Sequence, residues 1–148
     1  PSSAASDVYK RQELGRSTTG NRPDALSHKA ACDAAQQHIH SLENQTAHRL
    51  IEAFQNIPGV VIYGPTEKQP RVATLSINIG DLPAEQVGTM LDADYGLCVR
   101  AGLHCAPVIH RDQGTLERNG TVRIAPGYFT DDEDITQVIK GVSEIATL

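Results

Sequence analysis

The chain has 148 residues, 39% of them hydrophobic and 21% charged, and a formal net charge of −5. That length suits one domain burying roughly 70% of its unfolded surface, and the acidic balance excludes a basic nucleic-acid surface or a Lys/Arg headgroup site. No apolar run is long enough for a bilayer span, and the three cysteines, Cys32, Cys98 and Cys105, have no repeated spacing, which argues for a reducing, cytoplasmic compartment and against a disulfide scaffold.

The start of the chain reads as foreign. Asp7-Val8-Tyr9-Lys10-Arg11-Gln12 corresponds to GAT GTG TAT AAG AGA CAG, the end of a common sequencing-library adapter translated in frame, so residues 1–12 are expected to be a disordered scar. Residues 13–29 then form a polar connector and a helix start, and residues 30–148 the domain proper. A helical pattern runs from Pro23 to Gln55, with Ile39, Leu42, Thr46, Leu50 and Phe54 on one face, and Pro58-Gly59 ends it. Val60-Val61-Ile62-Tyr63 is a short β-branched strand closed by Gly64-Pro65. A second strand is predicted over Arg71 to Ile79, where Leu75, Ile77 and Ile79 alternate with Ser76 and Asn78, giving one buried and one polar face. Pro83 opens a second helix that stops at Gly96.

Leu97-Cys98-Val99 is expected to be a brief strand running into Arg100, followed by a loop with a helical turn around residues 106–113. Thr121 to Ala125 is the last strand. The final helix starts from a capping box, Thr130 to Glu133, and carries Ile135, Val138, Ile139, Val142 and Ile145 on one face. Helix, two strands, helix, two strands, helix is the pattern of an α/β (α+β) two-layer sandwich, with a short mixed or antiparallel sheet and helices packed on one face.

The chemistry concentrates in two blocks, Val99-Arg100-Ala101-Gly102-Leu103-His104-Cys105-Ala106-Pro107 and Gly120-Thr121-Val122-Arg123-Ile124-Ala125-Pro126-Gly127-Tyr128-Phe129. A free cysteine has a pKa of about 8.5, so only ~3% is thiolate at pH 7, and a fall of one unit raises that to roughly a quarter. Arg100, His104 and His110 lie close enough in sequence to supply the positive field. The residue types leave Cys105 evenly divided between an accessible nucleophile and a small buried hydrophobe. Cys98, in an apolar strand, and Cys32, on a helix, are read as structural. Arg123 lies on the strand face opposite Val122 and Ile124, where its planar fork suits a carboxylate ligand or a structural ion pair. A zinc site of Cys98, His104, Cys105 and His110 is disfavoured, because adjacent His104 and Cys105 meet one tetrahedral ion with difficulty; no metal is expected.

Together the blocks resemble the class V aminotransferases, and within them the cysteine desulfurases. The resemblance rests on Arg100-x-Gly102-x-His104-Cys105-Ala106, Gly120-Thr121-Val122-Arg123 and Tyr128-Phe129-Thr130, with Ile57-Pro58-Gly59-Val60 and Tyr63-Gly64-Pro65 upstream. It implies the small C-terminal domain of a fold-type I pyridoxal-phosphate enzyme, with the cofactor as electron sink. The resemblance assigns Cys105 as the nucleophile that takes sulfur from L-cysteine as a persulfide and releases L-alanine. It makes Arg123 the clamp for the substrate carboxylate, joined by Arg100 in substrate binding; it gives His104 no firm role, and that residue is expected to tune the thiolate or pass a proton. Ser17-Thr18-Thr19-Gly20-Asn21 resembles a Gly-Thr-x-Asn segment, which points Thr19 at the cofactor phosphate of the partner subunit, although Thr18 replaces the glycine and Arg16 an acidic residue.

The family's imine-forming lysine follows a Gly-His or Ser-His pair far upstream. Ser27-His28-Lys29 imitates that pair, but Lys29 opens a helix and is read as a solvated residue. The expectation is therefore a fragment, inactive alone, of a homodimeric enzyme that hands sulfur to an acceptor protein, without nucleic acid or membrane partners. The alternatives are a class V aminotransferase or lyase acting on another amino acid, or a free-standing ferredoxin-like binding or regulatory module.

Overall fold

The computed structural model describes residue 10, residues 13–14, 28–66 and 71–148. The chain divides into two compact units, Pro1–Glu43 and Asn44–Leu148. In the first, the described structure is chiefly the opening turns of helix α1 (His28–Gln55), where Lys29 pairs with Asp33 one turn on, at 2.7 Å. The adapter-like segment, the connector and the Pro23 helix start lie almost entirely outside the described residues.

The second unit holds β1 (Val60–Tyr63), β2 (Leu75–Ile79), α2 (Ala84–Tyr95), β3 (Arg100–Gly102), the short α3 (Pro107–Asp112), β4 (Thr121–Ile124) and α4 (Asp132–Ile145). The strands form one antiparallel sheet in the order β1-β2-β4-β3. Its inner face carries Leu75, Ile77, Ile79, Val122 and Ile124, each no more than 5% exposed. They join Leu50, Ile51 and Phe54 of α1, Val87 and Leu91 of α2, and Ile135, Val138, Val142 and Ile145 of α4 in one core. Burying each such side chain contributes about 1.5–3 kcal/mol, which is why these apolar stripes dock here. Helix α2 lies so close to β3 that a Cβ on Gly88 would stand 2.9 Å from that of Ala101.

Three predicted boundaries move. Pairing in β2 begins at Leu75 rather than Arg71, because residues 71–74 spend their polar groups locally. The Arg71 guanidinium donates to the carbonyls of Pro65 at 2.5 Å and Thr74 at 2.9 Å, and its backbone N–H donates to Asn44 Oδ1. Strand β3 begins at Arg100 rather than Leu97. Gly96 ends α2 in the left-handed conformation at φ 65°, and the Leu97 N–H turns back to the Leu91 carbonyl. Cys98 is consequently exposed instead of buried in a strand. The cap of α4 is Asp131 rather than Thr130. Its carboxylate accepts from the N–H groups of Glu133 and Asp134, and Asp134 reciprocates. Thr130 is already engaged, its hydroxyl accepting from the Gly127 N–H.

Candidate active site

The outer face of the sheet is built differently. Tyr63 stands opposite Ser76, Ser76 opposite Arg123, and Arg123 opposite Arg100, a row across all four strands. Directly opposed residues of antiparallel strands share a face, so the row places two guanidiniums side by side, an arrangement that costs stability unless an anion lies between them. The other described arginines all have oxygen partners. Arg49 pairs with Asp132, Arg111 with Asp112 and Arg118 with Asp81, while Arg71 holds two carbonyls. Arg100 and Arg123 form no ion pair among the described residues. Alternation had also assigned Asn78 to a polar outer face; it does lie on the face of Ser76, but it is only 1% exposed and neither amide atom has a partner among the described residues.

Beyond β3 the chain reverses through Leu103–Ala106, closed by the Ala106 N–H on the Leu103 carbonyl at 2.8 Å. The two central residues, His104 at φ 52° and Cys105 at φ 61°, are both left-handed, the signature of a type I′ turn. Glycine and asparagine suit these positions; a histidine and a cysteine are held there at roughly 1–2 kcal/mol each. The turn exposes Cys105, and Arg100 Nη2 stands 3.8 Å from its sulfur. The geometry that forces the turn lies in two glycines. Gly120, at φ 97°, approaches Gly102 so closely that a Cβ on it would meet the Gly102 carbonyl oxygen at 2.1 Å. The spacings Arg100-x-Gly102 and Gly120-x-x-Arg123 thus serve one structural end, bringing β3 and β4 together beneath the cysteine turn.

Between the outer face and α3 lies a cavity of about 410 Å³ bordered by Tyr63, Ser76, His104, His110, Thr121 and Arg123, among others. His104 Nε2 donates to the Thr121 carbonyl at 3.0 Å, which leaves Nδ1 as the unprotonated nitrogen; that atom is buried and has no partner among the described residues. Burial, reinforced by the charges of Arg123, His110 and Arg100, holds the ring below its ordinary 6.5 despite the carbonyl bond, so it is neutral at pH 7.

The structure therefore brings Arg100, His104, Cys105 and Arg123 to one place. Thr19 lies outside the described residues. Sequence reading named His110 as a source of charge and as a member of the disfavoured zinc set, and missed Ser76 as a neighbour of Arg123; alternation gave Ser76 its face, but its register with β4 is a long-range property. Thr115, fully buried beneath the cavity, carried no sequence signal. The described lysines are Lys10, Lys29 and Lys140, and none borders the cavity. These residues bring two guanidiniums and a thiol together, and no described lysine stands with them.

Comparison with known proteins gives a consistent picture. The family model for class-V aminotransferases matches residues 16–138. A probable cysteine desulfurase of Synechocystis sp. is 33% identical over 104 residues, covering 70% of this chain and 24% of that protein. One of Halalkalibacterium halodurans is 34% identical over 112 residues, covering 76% and 25%. Among solved structures, the apo cysteine desulfurase of Thermococcus onnurineus NA1 superposes with a TM-score of 0.69 at 24% identity, covering 81% of this chain and 30% of that one. The NifS-like protein of Rickettsia africae has a TM-score of 0.63 at 19% identity, covering 82% and 33%; both structures share the fold. The chain spans about a quarter of the length of these curated relatives.

Proposed function

The chain belongs to the class-V aminotransferase family, and from that premise we propose that it is the small-domain part of a cysteine desulfurase and carries its sulfur-accepting residue, Cys105. One observation carries the proposal. Arg100 reaches the Cys105 sulfur at 3.8 Å, while Arg123, directly across the ladder, faces a cavity with no carboxylate partner among the described residues.

In this reading Arg123 takes the carboxylate of L-cysteine as a fork, with Arg100 beside it. Cys105, as the thiolate, takes the substrate's sulfur atom and becomes a persulfide. The carbon–sulfur bond breaks, a sulfur–sulfur bond forms, and the thiol hydrogen ends on the carbon of L-alanine, so no outside oxidant or reductant is needed. Arg100 stabilises negative charge on the sulfur before and after transfer. An exposed, strained turn is suited to this task, because the sulfur must reach a substrate on one side and release its cargo to an acceptor protein on the other. His104 supports the chemistry from the cavity wall. Pyridoxal phosphate is implied by the family and supplies the electron sink, anchored by residues other than those described. Thr19 is proposed to reach its phosphate in a partner subunit of a homodimer.

The test is Cys105→Ala in the full-length protein, assayed for alanine release from L-cysteine. A loss of about a thousandfold or more is expected, with Cys98→Ala unchanged as the control. Wild-type release by Cys105→Ala would overturn the proposal and favour a family member for which this cysteine is incidental.

A further inference from the structure

The Cys105 turn stands beyond the end of its own ladder. Pairing between β3 and β4 reaches Gly102 opposite Thr121. Carried on in the same register, Leu103 and His104 would face Gly120 and Asn119, but those residues have already left the strand. Asn119 is left-handed at φ 56°, Gly120 stands at φ 97°, and the Gly120 N–H donates to the Thr115 carbonyl at 2.9 Å. The ladder therefore stops short of the turn. The bond that closes the turn, from the Ala106 N–H to the Leu103 carbonyl, is internal to it and does not fix it to the sheet.

A side chain supplies that tie. His104 Nε2 lies 3.0 Å from the Thr121 carbonyl oxygen and 3.3 Å from the Thr121 hydroxyl. A carbonyl only accepts, so the ring hydrogen sits on Nε2 and points at β4. The other nitrogen, Nδ1, is closed off from water and has no partner among the described residues. The hydrogen bond that Cys105 Sγ receives comes instead from Arg100 Nη2, at 3.8 Å. A group that passes protons needs a nitrogen within reach of the reacting atom or of a water. This ring has one nitrogen bound to backbone and the other sealed. Burial opposes a second proton on it, and Arg123 on β4, His110 on α3 and Arg100 on β3 oppose it further.

The backbone points the same way. His104 at φ 52° holds a conformation that glycine or asparagine takes more easily. Glycine carries no donor, and the asparagine amide reaches only as far as an imidazole Nδ1. A histidine in this strained place is accounted for by what its far nitrogen holds.

We propose that His104 is a positioning residue, a clasp that ties the cysteine turn to β4 through the Thr121 carbonyl and keeps the Cys105 sulfur at Arg100, with no proton passing through its ring. The part of this that concerns turnover rests on the reading of Cys105 as the sulfur acceptor.

The experiment compares His104→Gln, His104→Asn and His104→Leu in the full-length protein. It follows alkylation of native protein by iodoacetamide, read at Cys105 by mass spectrometry, and kcat/KM for alanine release from L-cysteine. The glutamine amide nitrogen falls where imidazole Nε2 lies and reaches Thr121; the asparagine nitrogen stops short, and neither amide titrates. His104→Gln is expected to keep both rates within about twofold of wild type. His104→Asn and His104→Leu are expected to slow alkylation about fivefold as the sulfur leaves Arg100. They should also lower kcat/KM about tenfold or more, since a displacement of about 1 Å can cost about a hundredfold. Asparagine suits a left-handed turn, so its comparison with glutamine stands even if the leucine variant does not fold. Wild-type rates in His104→Asn, or a His104→Gln as slow as His104→Asn, would overturn the inference. A His104→Gln that alkylates normally but loses kcat/KM would return the ring to proton transfer and overturn it as well. A wild-type protein that releases no alanine sinks the sulfur-acceptor reading instead, and the alkylation series still decides the clasp.

Discussion

The two faces of the sheet are made from the same short strands and are used in opposite ways. On the inner face, Leu75, Ile77, Ile79 and Val122 are at most 1% exposed and belong to one apolar cluster. On the outer face, the intervening residues present Tyr63, Ser76, Arg123 and Arg100, two of them cations without an ion pair among the described residues, beneath a turn with two left-handed non-glycine residues. The inner face is consistent at every level, from strand propensity to packing. The outer face breaks several rules within a few residues of Cys105, and local inconsistency of that kind concentrates where a protein does its work. The difference also shows how the strain is tolerated: the stability resides in a core that the reactive turn does not touch.

The sharpest way to break this division is at the one place where both faces depend on the same backbone. Gly120→Ala sets a Cβ at 2.1 Å from the Gly102 oxygen and forces a left-handed alanine. It is expected to lower unfolding stability by about 4 kcal/mol. In native protein it should also change the rate at which Cys105 reacts with iodoacetamide, since the turn rests on that contact. Ile77→Ala acts on the inner face alone. It is expected to cost about 3 kcal/mol in denaturant unfolding through loss of burial and the cavity left behind, with Cys105 reactivity unchanged under native conditions. A changed thiol rate there would mean the faces are coupled through the sheet.

The smallest effect belongs to the outer face and depends on pH. The folded state holds His104 below its ordinary 6.5, so the unfolded chain takes up the proton first as pH falls. Above 6.5 the ring is neutral in both states and contributes no slope. Below 6.5 stability falls until the folded ring is protonated too. His104→Gln is expected to flatten the descent of thermal stability below pH 6.5 relative to wild type; an equal descent would remove this histidine from the acid response.

Much of this division was legible in the residues. The alternation of Val122, Arg123 and Ile124 put Arg123 opposite the core, and the helical stripe of α4 named residues that fill it, whereas of the α1 stripe only Leu50 and Phe54 do and Ala47 and Ile51 were not named. The boundaries that failed did so where a local bond outcompeted a ladder, as at Arg71, Leu97 and Thr130. Asn78 failed differently: its face followed from alternation, but its burial did not, because burial depends on what folds over that face.

The sequence by itself therefore determined the elements, the inner face and the residue types of the reactive blocks, since these follow from periods of two and 3.6 residues and from the chemistry of single side chains. Only the tertiary structure decided that Arg100 and Arg123 stand opposed, that Gly102 and Gly120 touch, and that His104 and His110 border one cavity. Register and hydrogen-bond partners join residues distant in the chain, and no local period encodes them.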